Sequence, residues 1–258
     1  MAYAQFAYHY DRLMSDMPYP SWMSFLRQCW QQYDVSPQTL VDLGCGTGSL
    51  SLPLAQAGLQ VTGIDISSDM LAVAQDKSEE LRKLSGFAKG GSVQWMEQDM
   101  REWLLSAPVD CVISFCDCLN YLTDEADIRL AMEKSYAGLR SGGLFIFDIH
   151  APRQLVGYAE SQPFVMDEQD ISYIWTCDYD EARMEIEHHL SIFERQNVKG
   201  LDLYRKIEET HVQRAYPQEW MVDQLNACGF DILSVSADFT FEPPTQQSER
   251  LFFVARRP

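Results

Sequence analysis

Apolar residues in the first part of the chain form short continuous runs, separated by stretches in which they recur every three or four positions. Short runs bounded by turn residues predict buried parallel strands; they cover residues 40–43, 59–66, 92–96, 109–115 and 144–150. Helical spacing predicts helices over residues 21–33, 67–84 and 124–139, and an N-terminal helix carrying Tyr3, Phe6, Tyr10, Leu13, Met14 and Met17. This alternation of strand and helix indicates an α/β fold with a parallel sheet.

The pattern changes after Ala151, where apolar and polar residues alternate with a period of two over residues 171–180, 183–195 and 201–216. In the middle run one face carries Met184, Ile186, His188, Leu190 and Ile192. A helix opened by Pro217 and two final strands, 230–239 and 250–257, then complete the first sheet. We expect one domain formed by residues 1–150 and 214–258, with residues 151–213 inserted as a small antiparallel sheet.

A glycine-rich turn follows the first strand in the stretch LVDLGCGTGSL, with Gly44, Gly46 and Gly48 alternating and Ser49 able to cap the next helix. Asp65 ends the second strand, where an acid can bind ribose hydroxyls. A dinucleotide fold would need G-x-G-x-x-G, and Asp42 just before the turn suits a diphosphate poorly and a cation well. A glycine turn in another nucleotide-binding fold remains the alternative.

The glycine turn and the two acids that follow it resemble the motifs of a known protein family. VDLGCGTG, then GIDIS with Asp65, then EQDM with Asp99 resemble the class I S-adenosylmethionine-dependent methyltransferases, small-molecule type. The resemblance implies a Rossmann-like, doubly wound, mostly parallel seven-stranded sheet with an antiparallel last strand, and S-adenosylmethionine as cofactor. It assigns Asp65 to the ribose, Asp99 to the adenine amino group, and Asp42 to ordering the turn. The cofactor-binding residues it implies are Asp42, Gly44, Cys45, Gly46, Gly48, Asp65, Ile66, Met70, Gln98, Asp99, Met100, Phe115 and Cys116.

The acceptor should lie beyond the carboxyl end of the fourth strand, where ligands gather in such sheets. No Asn-Pro-Pro-Tyr turn and no Pro-Cys pair occurs there, so Cys116 and Cys118 are interpreted as packing residues. Tyr10 is expected near the transferred methyl group, and His150 is either an acceptor contact or base, or a structural residue. Further candidates for contact with the acceptor are Asn120, Tyr121 and His211, and more weakly Gln213, Arg214 and Tyr216.

The inserted sheet resembles one in some sugar-amine N-methyltransferases of this family, where it covers the pocket. The alternative is a decorative or dimerising sheet, so a homodimer stays open. The net charge of −18 repels phosphate backbones, which makes a nucleic-acid partner unlikely, although acidity can serve solubility alone.

Seven scattered cysteines form no disulfide or metal-binding framework, which favours a cytoplasmic protein. The N-terminal sequence does not resemble a signal peptide, no apolar run is long enough to span a bilayer, and no metal is expected. The predicted activity is methyl transfer by in-line displacement to a small-molecule N or O acceptor. An RNA or protein methyltransferase and a non-catalytic cofactor-binding sensor are the alternatives.

Overall fold

The computed structural model describes residues 7–84, 86–198 and 201–258. Its helices are α1 (Ala7–Leu13), α2 (Tyr19–Gln32), α3 (Ser51–Gln56), α4 (Ser68–Leu84), α5 (Glu125–Gly138), α6 (Pro152–Ser161) and α7 (Gln218–Ala227). Its strands are β1 (Thr39–Leu43), β2 (Gln60–Asp65), β3 (Ser92–Glu97), β4 (Val109–Ser114), β5 (Leu139–His150), β6 (Phe164–Asp167), β7 (Ile171–Asp180), β8 (Glu185–Val198), β9 (Leu201–Arg214), β10 (Asp231–Ala237) and β11 (Arg250–Arg256). A 3₁₀ turn at Cys118–Tyr121 follows β4.

The main sheet has seven strands in the order β10-β11-β5-β4-β1-β2-β3. The final strand, β11, is antiparallel to both of its neighbours, and the other pairings are parallel. This arrangement confirms the Rossmann-like sheet with an antiparallel last strand. The chain order reverses between β1 and β4, so the loops after these strands diverge and leave a crevice at the carboxyl edge.

Strand β5 shows why the buried strands read as continuous apolar runs. Phe145, Phe147 and Ile149 pack into the core beneath α5 and α7. Leu144 and Ile146 point the opposite way, into the core beneath α2 and α3. Successive side chains of a strand face opposite sides of the sheet, and helices cover both sides here, so residues 144–147 are all apolar.

A second sheet of four antiparallel strands, β6-β7-β8-β9, follows helix α6. Strands β7, β8 and β9 match the three predicted runs. Helix α6 and strand β6 were not predicted, because α6 buries only Leu155 among its apolar residues and β6 has four residues. Both signals are too short for a periodicity to emerge.

Helix boundaries differ from the expected ones in small ways. Helix α3 begins at Ser51, and no side chain caps it, so Ser49 does not act as the expected cap. Helix α5 ends at Gly138, and strand β5 begins at Leu139, before Gly142-Gly143. Gly142 is already part of the strand, and its N–H donates to the carbonyl of Arg257 at 2.7 Å. Helix α4 begins at Ser68, and Ser67 caps it, since Ser67 Oγ accepts from Met70 N–H at 3.3 Å.

The second sheet packs its predicted apolar face towards the main domain. Ile186, His188 and Ile192 are buried, and Met184 and Leu190 are half-buried. One hydrophobic cluster joins the second sheet to the main domain. In it, Ala7 of α1 and Met70 of α4 pack against three residues of the second sheet, Ile171, Ile192 and Ile207. The crevice at the carboxyl edge is therefore roofed by α1 and the second sheet.

Helix α1 is tied to both units by polar contacts. Asp11 accepts from Lys77 Nζ at 2.6 Å and from Thr47 Oγ1 at 2.5 Å. Arg12 donates to Glu168 Oε2 at 2.8 Å. The predicted helix extends on both sides of α1, but Tyr3 and Phe6 lie outside the described residues, and α1 ends at Leu13.

All seven cysteines are free thiols. Within the described ranges no group of three or more His, Cys, Asp or Glu side chains is placed to hold a metal ion. The helices of this same part of the chain include none with the length and apolarity needed to cross a membrane.

Asn120 braces the 3₁₀ turn against two strands. It is fully buried, its Nδ2 donates to the carbonyl of Arg214 at 2.8 Å, and its Oδ1 accepts from His150 N–H at 2.9 Å. Both halves of the side-chain amide are therefore engaged with backbone, which holds the end of β5 next to the end of β9.

Replacing Asn120 with Ala should lower the free energy of unfolding by about 1–3 kcal/mol, because two buried backbone groups lose their partners. Urea unfolding measures this loss. A matched control is Gln75→Ala. It removes an exposed hydrogen bond from the Gln75 side-chain amide to Glu79 Oε1 at 2.7 Å and should change stability little. Equal losses in the two variants would contradict the bracing role of Asn120.

Candidate functional site

A cavity of about 590 Å³ lies at the carboxyl edge of β1, β2 and β4, beneath the second sheet. Most of the predicted site residues line it. They are Tyr10, Asp42, Gly44, Cys45, Gly46, Asp65, Ile66, Met70, Gln98, Asp99, Met100, Phe115, Cys116, Tyr121, His150, His211 and Gln213. The structure thus brings cofactor and acceptor candidates from separate segments into one cavity.

The glycine turn is fastened to the end of β2. The N–H groups of Gly44 and Cys45 donate to the carbonyl of Ile64 at 2.8 and 3.1 Å. A Cβ on Gly44 would lie 2.6 Å from Cys118 Sγ, and one on Gly48 would lie 2.5 Å from the Trp95 ring. These two positions need glycine for packing.

Gly46 differs from the other two glycines of the turn. Its φ is +52°, yet a Cβ built there meets nothing within 4 Å. Gly46 also lines the cavity, so the space beside it is available to a ligand. Gly48 packs against Trp95 and does not line the cavity.

Asp65 is held in place by the backbone. Its Oδ2 accepts from Gly46 N–H and its Oδ1 from Ser67 N–H, each at 2.8 Å. Burial raises the pKa of this carboxyl group, although the backbone hydrogen bonds oppose the effect. The carboxylate is fixed at the end of β2 with acceptor lone pairs left for a hydroxyl donor.

Asp42 is a second buried acid next to the turn. Ser51 Oγ donates to its Oδ2 at 2.5 Å. Burial raises the pKa of Asp42 to about 6, the Ser51 hydrogen bond opposes this rise, and nearby Asp65 adds to it. The two acids give this end of the cavity a negative charge that a cation would offset.

Asp99 lies at the cavity but has a partner that the sequence did not reveal. Arg101 Nε donates to Asp99 Oδ1 at 2.9 Å and Nη2 to Oδ2 at 2.5 Å, while Nη1 reaches Asp127 at 2.7 Å. These hydrogen bonds, chiefly the side-chain ones from Arg101, lower the pKa of Asp99. Any contact of Asp99 with an adenine amino group would share oxygens already bound by Arg101, and that role stays a prediction.

A buried ion cluster marks the exit of β4. Asp117, with φ of +54°, accepts from Arg250 Nη2 at 3.0 Å, and its Oδ1 lies 3.3 Å from His150 Nε2. Gln213 Nε2 donates to its Oδ2 at 2.7 Å. Burial alone would raise the pKa of Asp117, but its contacts with His150, Arg250 and Gln213 hold it well below its ordinary value.

A line of hydrogen bonds continues from Asp117 into the second sheet. Trp175 Nε1–H donates to His188 Nδ1 at 3.0 Å, and His188 Nε2 lies 3.3 Å from Gln213 Oε1. An indole only donates, so the proton of His188 is assigned to Nε2, which donates to Gln213. Burial lowers the pKa of His188 to about 4, so this imidazole is neutral near pH 7.

His150 is buried with one ring nitrogen engaged. Its Nε2 faces Asp117, and its ring meets Tyr158 edge-on with centroids 5.6 Å apart. Its Nδ1 is buried and has no hydrogen-bond partner among the residues that the structure describes. His211 packs edge-on to Tyr121, and burial lowers the pKa of His211 to about 4.

Three acceptor candidates do not line the cavity. Asn120 braces backbone as described above. Arg214 Nη1 donates to the carbonyl of Thr123 at 2.9 Å, and its guanidinium lies over the Tyr216 ring. The Tyr216 hydroxyl donates to the carbonyl of Leu122. The side chains of all three residues make contacts that join the two sheets. Because they lie outside the cavity, their assignment to acceptor contact is corrected.

Several lining residues were missed by sequence reasoning: Tyr19, Thr47, Arg101, Asp117, Tyr158, Trp175, His188 and Arg250. Asp117 had a usable signal, because it follows a predicted buried strand at the carboxyl edge. Tyr158 had none, since helix α6 was not predicted. Trp175 and Arg250 lie within predicted strands, and only the fold shows which face reaches the cavity.

The fold and this site define a class of nucleoside-binding α/β enzymes, and the comparisons identify the family. Residues 40–143 match the model of the methyltransferase domain family. A protein of Geobacillus sp. (strain WCH70) that is provisionally named a methyltransferase is 38% identical to this chain over 259 residues. The alignment covers 100% of both chains. The chain belongs to the class I S-adenosylmethionine-dependent methyltransferases.

Solved structures share the whole architecture, including the second sheet. An S-adenosylmethionine-dependent methyltransferase from Clostridium acetobutylicum ATCC 824 aligns with a TM-score of 0.82 at 24% identity, over 98% of both chains. The sugar N-methyltransferase KedS8 from Streptoalloteichus sp ATCC 53650 aligns with a TM-score of 0.74 at 16% identity, over 100% of this chain and 94% of its own. At these identities the likeness concerns the fold.

The residues present suit S-adenosylmethionine. Open space beside Gly46 admits a ligand against bare backbone. Asp65 offers fixed acceptor atoms for ribose hydroxyls, and the buried carboxylates of Asp42 and Asp65 favour a positively charged sulfur nearby. Among the described residues that line the cavity, those of the glycine turn carry no positive charge, which fits a sulfonium cofactor better than a dinucleotide.

Replacing Gly46 with Ala should abolish binding of S-adenosylmethionine, because the methyl group would fill the space beside the turn. Gly142→Ala is the matched control, since Gly142 also has a positive φ (+80°) and nothing within 4 Å of its Cβ. Each substitution should cost about 1–2 kcal/mol of stability through backbone strain. Calorimetric titration with the cofactor and urea unfolding measure the two effects. Retained binding in Gly46→Ala would contradict the proposed position of the ligand.

The raised pKa of Asp42 makes stability depend on pH. In the unfolded chain the pKa is near 3.8, so the contribution of Asp42 is fully present below that value and is lost as pH rises through about 6. Between about pH 8 and about pH 5, the wild-type protein should gain roughly 1 kcal/mol that Asp42→Asn does not gain. Urea unfolding of both proteins at the two pH values tests this. Parallel pH profiles would show that Asp42 titrates normally.

Proposed function

We propose that the protein transfers the methyl group of S-adenosylmethionine to the nitrogen or oxygen of a small molecule that binds beneath the second sheet. One observation carries this proposal. A single cavity runs from Gly46 and Asp65 at the glycine turn to Tyr158, Trp175 and His188 on the covering elements. Cofactor and acceptor could therefore meet within one cavity.

The roles of the residues follow from this placement. The cofactor supplies an electrophilic methyl group on a positively charged sulfur. Gly46 and Asp65 hold and orient the cofactor, and Tyr10 of α1 closes the cavity beside it. Alignment of the reacting atoms in a water-poor cavity is the main source of acceleration for a displacement of this kind. Residues 151–213 serve in this proposal as the cover of the acceptor, on a cofactor-binding domain of residues 1–150 and 214–258.

Two features favour a small acceptor over RNA or protein. The net charge is −18, and the cavity is covered by α1 and the second sheet. A structure of the same architecture is named a sugar N-methyltransferase, which agrees with a small acceptor. The seven free thiols suit a reducing compartment, and we infer a cytoplasmic location from them.

S-adenosylmethionine and its demethylated product should raise the melting temperature, and NAD should not. A ligand at a hundredfold excess over its dissociation constant adds about 2.7 kcal/mol to stability. Asp65→Asn should lose most of the shift, whereas Cys228→Ala should retain it, because Cys228 does not line the cavity. Thermal denaturation followed by fluorescence measures these shifts. Stabilisation by NAD alone would overturn the cofactor assignment.

Turnover separates an enzyme from a sensor that only binds the cofactor. A product-coupled assay should be run over amines, hydroxy compounds, amino sugars, RNA and peptides, with Asp65→Asn as the inactive control. Methylation confined to RNA or to peptides would refute the small-molecule proposal. Cofactor binding without methylation of any compound in the panel would favour the sensor.

A further inference from the structure

The cavity offers no spare positive charge to an acceptor. Arginines 101 and 250 are the only Lys or Arg side chains among the described residues that line it. Arg101 is shared by Asp99 and Asp127. An anionic acceptor would find this guanidinium already neutralised by two carboxylates.

Arg250 is engaged in the same way. It donates to Asp117 at 3.0 Å and also to Asp148, which is fully buried. Its guanidinium further lies over the Trp22 ring, 5.1 Å from the centroid. The exit of β4 is therefore at best neutral, and it adds no attraction for phosphate or carboxylate groups.

Aromatic and neutral side chains form the walls opposite these ions. The ring of Tyr158 lies 5.1 Å from Trp175 and 5.5 Å from His188. Burial keeps His188 and His211 uncharged near pH 7, with pKa values of about 4. Aromatic faces attract cations, and neutral imidazoles do not repel them. This end of the cavity suits a cationic acceptor.

His150 lines the same end of the cavity, and its ring carries a buried proton acceptor. Its Nε2 faces Asp117 Oδ1 at 3.3 Å, so the ring proton of a neutral imidazole belongs on Nε2. Nδ1 then carries a lone pair, and this atom is buried without a hydrogen-bond partner in the described part of the chain. A buried acceptor without a donor costs free energy, which an N–H of a ligand would recover.

We infer that the methyl acceptor is an amine that binds as an ammonium ion and passes a proton to Nδ1 of His150. This inference rests on the proposed function. One N–H bond breaks, its electron pair stays on nitrogen, and the proton bonds to the lone pair of Nδ1. The freed pair forms the new N–C bond as the C–S bond breaks and its electrons remain on sulfur. Asp117 is a positioning residue, which orients the imidazole and offsets the charge it gains.

The first test needs no turnover. In protein labelled with ¹⁵N-histidine and free of cofactor, the neutral form of His150, assigned through His150→Gln, should carry its proton on Nε2. In Asp117→Asn the two tautomers should become mixed, which a purely structural role of Asp117 would not produce. A proton on Nδ1 of His150 in the wild-type protein would overturn the inference.

The second test concerns the charge of the acceptor. Cyclohexylamine, cyclohexanol and cyclohexanecarboxylate share a cyclohexyl ring, and near neutral pH they carry a positive, a neutral and a negative group, respectively. Ligand-observed NMR with the protein saturated by the demethylated cofactor should show binding of the amine in preference to the other two. Absence of that preference would overturn the ammonium assignment while leaving the methyltransferase proposal intact.

The third test uses the amine acceptors that the turnover panel reveals. His150→Gln should lower kcat by about 10²–10⁴-fold near neutral pH without weakening cofactor binding. The loss should shrink at higher pH, where the free amine forms in solution. His189→Gln is the matched control, because His189 is a more exposed histidine on the same strand as His188. Methylation confined to hydroxy compounds, or a loss independent of pH, would refute the inference; failure to bind the cofactor would instead refute the proposed function.

Discussion

The structure depends on the attachment of the glycine turn to the end of the neighbouring strand. Two backbone N–H groups of the turn share the carbonyl of Ile64, and a third, from Gly46, reaches the carboxylate of Asp65. These bonds join the carboxyl ends of β1 and β2, beside the point between β1 and β4 where the strand order reverses. Bare backbone and a fixed acid are thereby placed on one wall of the cavity, and the covering elements are built around that wall.

The rest of the site is a problem of buried charge. Asp42, Asp65 and Asp117 are buried acids, and each is stabilised by different partners. Asp42 accepts from a serine hydroxyl, Asp65 from backbone N–H groups, and Asp117 pairs with an arginine and a histidine. Burying an ionised carboxylate is costly unless such partners exist. The cofactor end keeps an excess of negative charge, whereas the acceptor end is balanced. This difference matches a positively charged cofactor and a site that excludes anions.

Local patterns foretold the sheet and the glycine turn, because each depends on residues close together in the chain, and most residues predicted to bind the cofactor line the cavity. Asp65 and Asp99 could be placed at strand ends from their own segments. The partnership of Asp99 with Arg101 and Asp127, and that of Asp117 with Arg250, join distant segments and depend on side-chain direction. Asn120 shows the opposite error, since its position suggested ligand contact, whereas its amide is used by backbone. Periodicity carries no information on such pairings.

Helix α1 has a consequence for how molecules reach the interior. Its links to Lys77 and Glu168 are ion pairs between partly exposed side chains, and such pairs contribute about 0–1 kcal/mol each. Its link to Thr47 is a hydrogen bond to a buried hydroxyl group. Two of the three links of this cover are therefore individually weak. Because Thr47 belongs to the glycine turn, the third link ties the cover of the cavity directly to the wall that carries Gly46 and Asp65.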